Sequence, residues 1–204
     1  MNKYLVISAL GKDRPGIVNL LAHAILEAGC NIQDSRMTVL GGEFALMLLV
    51  SGPWNAVGKL ESQTKALEKK LDLTLVAKIT EPRVTKESMV PYVVDVVSMD
   101  HPGIVHGIAE FFSTREINIE DLNTWTYAAA HTGTPMFSMN MTISVPASVN
   151  IGRLRDEFPR FCDELNLDAT LEPARGPQLG SRNDADLGTD RDDLDALRQR
   201  APDL

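Results

Sequence analysis

Apolar positions along the chain follow two spacings, one of two residues and one of three to four, and they do so in an order that occurs twice. Tyr4 to Ala9 is a short, β-branched apolar run ending at Gly11, the pattern of a strand. Beyond it, Ile17, Val18, Leu21, Ala24, Ile25 and Ala28 share one side of a helix. Pro15 suits the first turn of that helix, where a missing N–H costs nothing, and Gly29 suits its end. Ile32 to Leu40 and Phe44 to Val50 are apolar runs joined by Gly41 and Gly42, a pair permissive enough for a tight hairpin. Val57, Leu60, Leu67 and Leu71 return to helical spacing, and Leu73 to Ile79 reads as a closing strand. The order is βαββαβ.

The same order continues as Tyr92 to Val97, Pro102 to Arg115, Ile119 to Tyr127, Phe137 to Val145, Ile151 to Leu165 and Leu167 to Leu171. Asp13, Pro15, Gly16, Ile17, Val18, Ala22, Asn31, Ile32 and Asp34 recur 87 positions on as Asp100, Pro102, Gly103, Ile104, Val105, Ala109, Asn118, Ile119 and Asp121. Val57, Gly58, Lys59 and Leu60 answer to Ile151, Gly152, Arg153 and Leu154 at an offset of 94, so seven inserted residues, Ala128 to Thr134, lengthen the second hairpin. A period this long denotes whole domains rather than stacked repeat units. The expectation is an α+β chain of two tandem ferredoxin-like βαββαβ domains, each an antiparallel sheet with helices on one face. The first spans 1–80, a linker with two prolines spans 81–91, and the second spans 92–173. Residues 174–204 have no aromatic residue and no sustained periodicity and are expected to form a disordered acidic tail, with a short helix over Asp190 to Arg200 as the alternative. Pro159 should kink the second helix of copy two or shift its start.

Composition narrows the function classes. A hydrophobic share of 44% supports packed cores, and 20 basic against 28 acidic residues leave a net charge of −8, which disfavours direct nucleic-acid binding. No run of apolar residues is long enough to span a membrane, and no secretory signal follows Met1, so a cytoplasmic location is expected. Cys30 and Cys162 are expected to be buried thiols rather than a disulfide, and Met37, Met47, Met139 and Met141 to fill cores. Catalytic templates fail: His23 and His106 lie on helices without a neighbouring nucleophile, and His131 lies in the inserted loop. Zinc-ligand spacing and a phosphate-binding glycine loop are both missing, so neither an enzyme nor a cofactor is indicated. His101, at the second helix opening, is placed to touch a ligand and respond to pH.

The repeated Asp-x-Pro-Gly-Ile-Val stands where strand one turns into helix one. A helix start presents unpaired N–H groups and the positive end of the peptide dipole, which suits a carboxylate, and glycine lets it come close. Asp13 and Asp100 can hold an ammonium group, while Asn31 and Asn118 can donate and accept. Together these groups match a zwitterionic amino acid. They equally match a capped helix, a chain turn and a loop residue after Gly29, and shared descent would preserve those roles too.

The βαββαβ order with Asp13-Arg14-Pro15-Gly16-Ile17-Val18 after strand one resembles the ACT domain, a ferredoxin-like amino-acid sensor, over about residues 1 to 173. More narrowly, the segments Tyr4 to Asn19, Cys30 to Arg36 and Ser51 to Asn55 resemble the glycine cleavage system transcriptional repressor family. The match is looser in copy two, where His101 stands in the place of Arg14. The resemblance implies a repressor that binds no DNA itself but restrains the transcriptional activator of the glycine cleavage operon, with glycine relieving the restraint. It further implies pairing of domains side by side, within the chain or in a homo-oligomer, with ligand between one copy's helix start and the neighbouring copy's second strand. Carried onto matching positions, the ligand shell is Asp13, Gly16, Ile17 and Asn31 with Asp100, Gly103, Ile104 and Asn118. The alternative is an ACT regulatory or dimerisation module acting on a metabolic enzyme.

Overall fold

A computed structural model of the protein describes residues 2–81 and 89–174, and the described chain divides into two units. Most of the expected linker and almost all of the expected tail lie outside the described residues. The first unit runs β1 (Asn2–Lys12), α1 (Ile17–Glu27), β2 (Asn31–Leu40), β3 (Glu43–Pro53), α2 (Trp54–Leu71) and β4 (Thr74–Thr80). The second runs β5 (Met89–Met99), α3 (Ile104–Ser113), β6 (Asn118–Ala128), β7 (Pro135–Pro146), α4 (Ile151–Glu164) and β8 (Asp168–Pro173). Each is the expected βαββαβ fold, with antiparallel sheets ordered β2-β3-β1-β4 and β6-β7-β5-β8.

Alternation along the central strands decides which sheet face is covered. Leu5, Ile7 and Ala9 of β1 and Leu46, Leu48 and Val50 of β3 point to one side, where they pack with Ile17, Leu21 and Ile25 of α1 and Val57, Leu60 and Leu71 of α2. The second unit repeats this with Val94, Val96, Met139, Met141 and Ile143 under Ile108, Phe112, Leu154 and Phe158. Burying each such side chain contributes about 1.5–3 kcal/mol, far more than any single exposed contact. Phe111, Phe112 and Phe158 stack with ring centroids 5.3 Å apart in each pairing, filling a space that copy one closes with smaller side chains.

Several expectations needed correction. Pro15 and Pro102 precede the helices, which open at Ile17 and Ile104 after left-handed Gly16 and Gly103. Met139 and Met141 fill the core as expected, but Met37 and Met47 are 58% and 54% exposed, because alternation turns Met47, between buried Leu46 and Leu48, to the bare side and Met37 lies on the edge strand β2. β5 begins at Met89, ahead of the Tyr92 expected. The second helix of copy two starts at Ile151, as expected, and runs through Pro159 to Glu164, so the proline does not shift its start.

Helix ends show how two sequences reach one turn. Gly29, at φ 81°, leaves α1 in the left-handed region, and the matching position after α3 is Glu116, at φ 57°. A side chain there strains the backbone by about 1–2 kcal/mol, whereas glycine does not. The turn after α2 uses Asp72 at φ 51° and that after α4 uses Asn166 at φ 55°, both types that tolerate this conformation. Glu116→Gly should therefore stabilise the second unit by about 1 kcal/mol, measured as a higher urea midpoint with an unchanged slope. An unchanged or lower midpoint would refute the strain argument.

Candidate functional site

The two helix openings are built alike. Each strand one ends in a short loop tied to the neighbouring hairpin, by Asp13 N–H to the Gly42 carbonyl (3.1 Å) and by Asp100 N–H to the Pro135 carbonyl (3.0 Å). The chain then passes through glycine, at φ 94° for Gly16 and 100° for Gly103, and enters the helix. No side chain caps either start. By contrast, the Asn150 side chain accepts from Arg153 N–H (3.0 Å) at the start of α4, so this fold does use a side-chain cap where the sequence supplies one. Asp13 and Asp100 therefore do not cap these helices.

Space is available at both openings: a Cβ built on Gly16 or Gly103 would meet no atom within 4 Å. Asp13 and Asp100 are exposed beside them. Ile17 and Ile104 are buried, main chain included, at 1% and 2% exposure, and the exposed residues at the two openings are Gly16, Val18 and Asn19 in the first and Gly103 and His106 in the second. Arg14 differs from its counterpart: its guanidinium donates to the Leu71 carbonyl at 2.7 Å and holds the first loop to the end of α2. His101 is exposed, with Nδ1 3.1 Å from the Pro102 carbonyl.

Asn31 and Asn118 do not join these groups within their own unit. Asn31 pairs with Ser51, which pairs with Tyr4, while Asp13 follows Lys12 at the far end of β1. Nine strand residues separate those levels, about 30 Å at the usual rise. The same holds for Asn118, level with Ser144 and Pro91. Within one unit the helix opening and the asparagine thus lie at opposite ends of the sheet.

Both asparagines stand beside an irregularity that the sequence did not reveal. The register slips between Ile32 and Asp34 and again between Ile119 and Asp121, leaving Gln33 and Glu120 as the extra residues. Gln33 Nε2 donates to Ser51 Oγ at 2.8 Å, and Asn118 Nδ2 donates to Glu120 Oε1 at 2.8 Å. Bulges of this kind redirect side chains near functional sites.

A groove of about 390 Å³ between α3 and α4 is lined by Arg115, Glu157 and Phe161 among others. Arg115 lies 3.7 Å above the Phe111 ring centre and 3.0 Å from Glu157. The Arg153 guanidinium, with Arg115 second, holds the Glu157 carboxyl below its usual range. Copy one has Ala24, Ala28 and Gln63 at the places of Phe111, Arg115 and Glu157, so this groove is not part of the duplicated site.

With this geometry in place, similarity to known proteins is informative. The ACT domain family matches residues 3–78. The glycine cleavage system transcriptional repressor of Escherichia coli K12 is 36% identical over 170 residues, covering 82% of this chain and 88% of that protein. A crystal structure of a candidate glycine cleavage system transcriptional repressor superposes with a TM-score of 0.66 at 30% identity, covering 86% of this chain and 99% of that one. An unknown protein from Galdieria sulphuraria superposes with a TM-score of 0.74 at 28% identity, covering 86% of this chain and all of its own.

Among the described residues no cluster of three or more His, Cys, Asp or Glu is arranged to hold a metal, and no helix is long and apolar enough to cross a membrane. Cys30 and Cys162 are free and buried. Burial, aided by the Asp163 carboxylate, pushes the Cys162 thiol up to about 12, and burial also raises Cys30. Both thiols stay protonated, and hence poor nucleophiles, until well above neutral pH. In the native protein at neutral pH, iodoacetamide should modify them at least ~100-fold more slowly than free cysteine, with both labelled after denaturation. Rapid native labelling of either, read by mass spectrometry, would contradict this.

Proposed function

The chain belongs to the glycine cleavage system transcriptional repressor family of tandem ACT-domain regulators, and on that premise we propose that it senses a small amino acid, glycine. In this reading it restrains a transcriptional activator protein and binds no DNA itself. The observation that carries the sensing step is the duplicated helix opening, lacking a side-chain cap, entered through a left-handed glycine and free of atoms above that glycine. A carboxylate placed there gains hydrogen bonds from the first-turn amides and the favourable end of the helix dipole, without displacing a protein group. Asp13 or Asp100 is near enough in sequence and exposure to meet the ammonium group.

Because Asn31 and Asn118 lie at the other end of their own sheets, each ligand shell takes its asparagine from a neighbouring unit. Ligand then acts as a clasp between units, and binding changes how they are held together. That is a direct route from a small metabolite to the surface seen by a protein partner. Action through a protein also fits the charge of −8, since a partner that is itself bound to DNA supplies the phosphate contacts.

Glycine at about 100 times its dissociation constant should stabilise the native chain by about 2.7 kcal/mol and raise its melting temperature by at least ~5 °C. Gly16→Val combined with Gly103→Val should remove the response, while circular dichroism still reports a folded chain. No shift with glycine or any other amino acid at millimolar concentration would end the sensing proposal.

Tagged protein incubated with cell extract should retain a DNA-binding activator without glycine and release much of it when glycine is added. Retention of a metabolic enzyme in place of an activator would favour the reading in which the chain is a regulatory module for that enzyme.

A further inference from the structure

The sheet faces turned away from the helices are open in both units, and their chemistry differs. On the first, Leu10, Met47 and Val76 are 52%, 54% and 61% exposed and share the bare side with Ser8, which pairs with both Met47 and Val76. They line, with Arg36, a shallow apolar depression of about 470 Å³. The strands of this sheet hold four cations, Lys3, Lys12, Arg36 and Lys78, against Asp34 and Glu43. Register puts Lys12, Arg36 and Lys78 on the bare side, across from Glu43, Met47 and Val6, and Asp34 and Glu43 share that side, with Arg36 ion-paired to Asp34, so three cations stand against two anions.

The second sheet has the opposite character. Met99, Trp125 and Tyr127 are 65%, 46% and 44% exposed on its bare side. Its four strands contain no lysine or arginine at all. Asp95, Asp121, Asp168 and Glu172 share the bare side, by pairing with Asn140, Thr142, Val97 and Val93. Duplication therefore yields one apolar face with a small excess of cations and another that carries anions only, a difference that neither fold nor core requires.

We infer that these faces cover each other between two copies of the chain: the first-unit face of each protomer packs on the second-unit face of its partner. The inference goes beyond the sensing proposal and does not depend on it. A two-fold axis makes the arrangement closed, because each protomer offers one face of each kind and both contacts form at once. Four strands about 4.8 Å apart and about ten residues long present roughly 600 Å². Two such contacts remove roughly 2,400 Å² from water, above the ~1,600 Å² of a standard interface. Trp125 is the bulky side chain suited to the depression on the opposing face, and the charges at the edges set which face meets which.

Sedimentation of the full-length protein without amino acid tests this directly. The wild type should be a dimer that weakens as salt is raised. Lys12→Glu with Lys78→Glu, or separately Asp168→Lys with Glu172→Lys, should weaken self-association at least ~10-fold, because each places like charges across both contacts. A mixture of the two variants should restore the dimer, since both contacts of the mixed pair again join opposite charges. Circular dichroism confirms folding, and Lys78→Gln and Asp168→Asn serve as milder versions. A monomer at all concentrations, a dimer indifferent to both reversals, or a mixture that stays monomeric while the wild type pairs would each overturn the inference. Loss of the glycine response alone leaves it standing.

Discussion

One constraint organises each unit: a four-stranded sheet accompanied by only two helices can bury only one of its faces. The central strand, paired on both sides, commits Leu5, Ile7 and Ala9, or Val94 and Val96, to the helix side. Everything on the other side is left to solvent or to another molecule. The same geometry dictates that each first helix begins at the end of the sheet where strand one stops, beside a hairpin whose carbonyl ties down the aspartate loop. An uncapped helix opening and an uncovered sheet face are thus two results of one packing solution.

The openings are shaped by restraint in local chemistry. A serine or aspartate at the glycine position would satisfy the first-turn amides internally, as Asn150 does at α4. Left-handed glycine in both copies makes the turn without doing so. The donors stay available, at a cost in helix stability that larger apolar contacts absorb. The open space above the glycines, the exposed aspartates and the absent cap form one consistent arrangement, repeated although the loops around it differ in Arg14 and His101.

Much of this architecture was legible in the chain. The repeat of nine residues at one offset and the alternation of spacings produced the element order, and Gly41-Gly42 and the inserted Ala128 to Thr134 marked the hairpins. The groups at the openings were legible as types. Their mutual placement was not, since the asparagines stand level with Tyr4 and Pro91, at the end of strand one opposite the aspartate loops. The bulges at Gln33 and Glu120, and the bond from Arg14 to the Leu71 carbonyl, were also hidden, because they depend on partners far away in sequence.

Sequence alone determined that there are two copies of a βαββαβ unit and that each carries an aspartate, a glycine and an asparagine, because period and identity are properties of the chain itself. Tertiary structure decided which of those residues can meet and which apolar side chains stay bare. Met37 and Met47 carry the same strand signal as Met139 and Met141, yet only the latter pair is buried. The physical reason is that burial depends on which face of the sheet a position points to and on whether a helix reaches it: Met47 points to the bare side and Met37 lies on the edge strand, while Met139 and Met141 pack on the helix side.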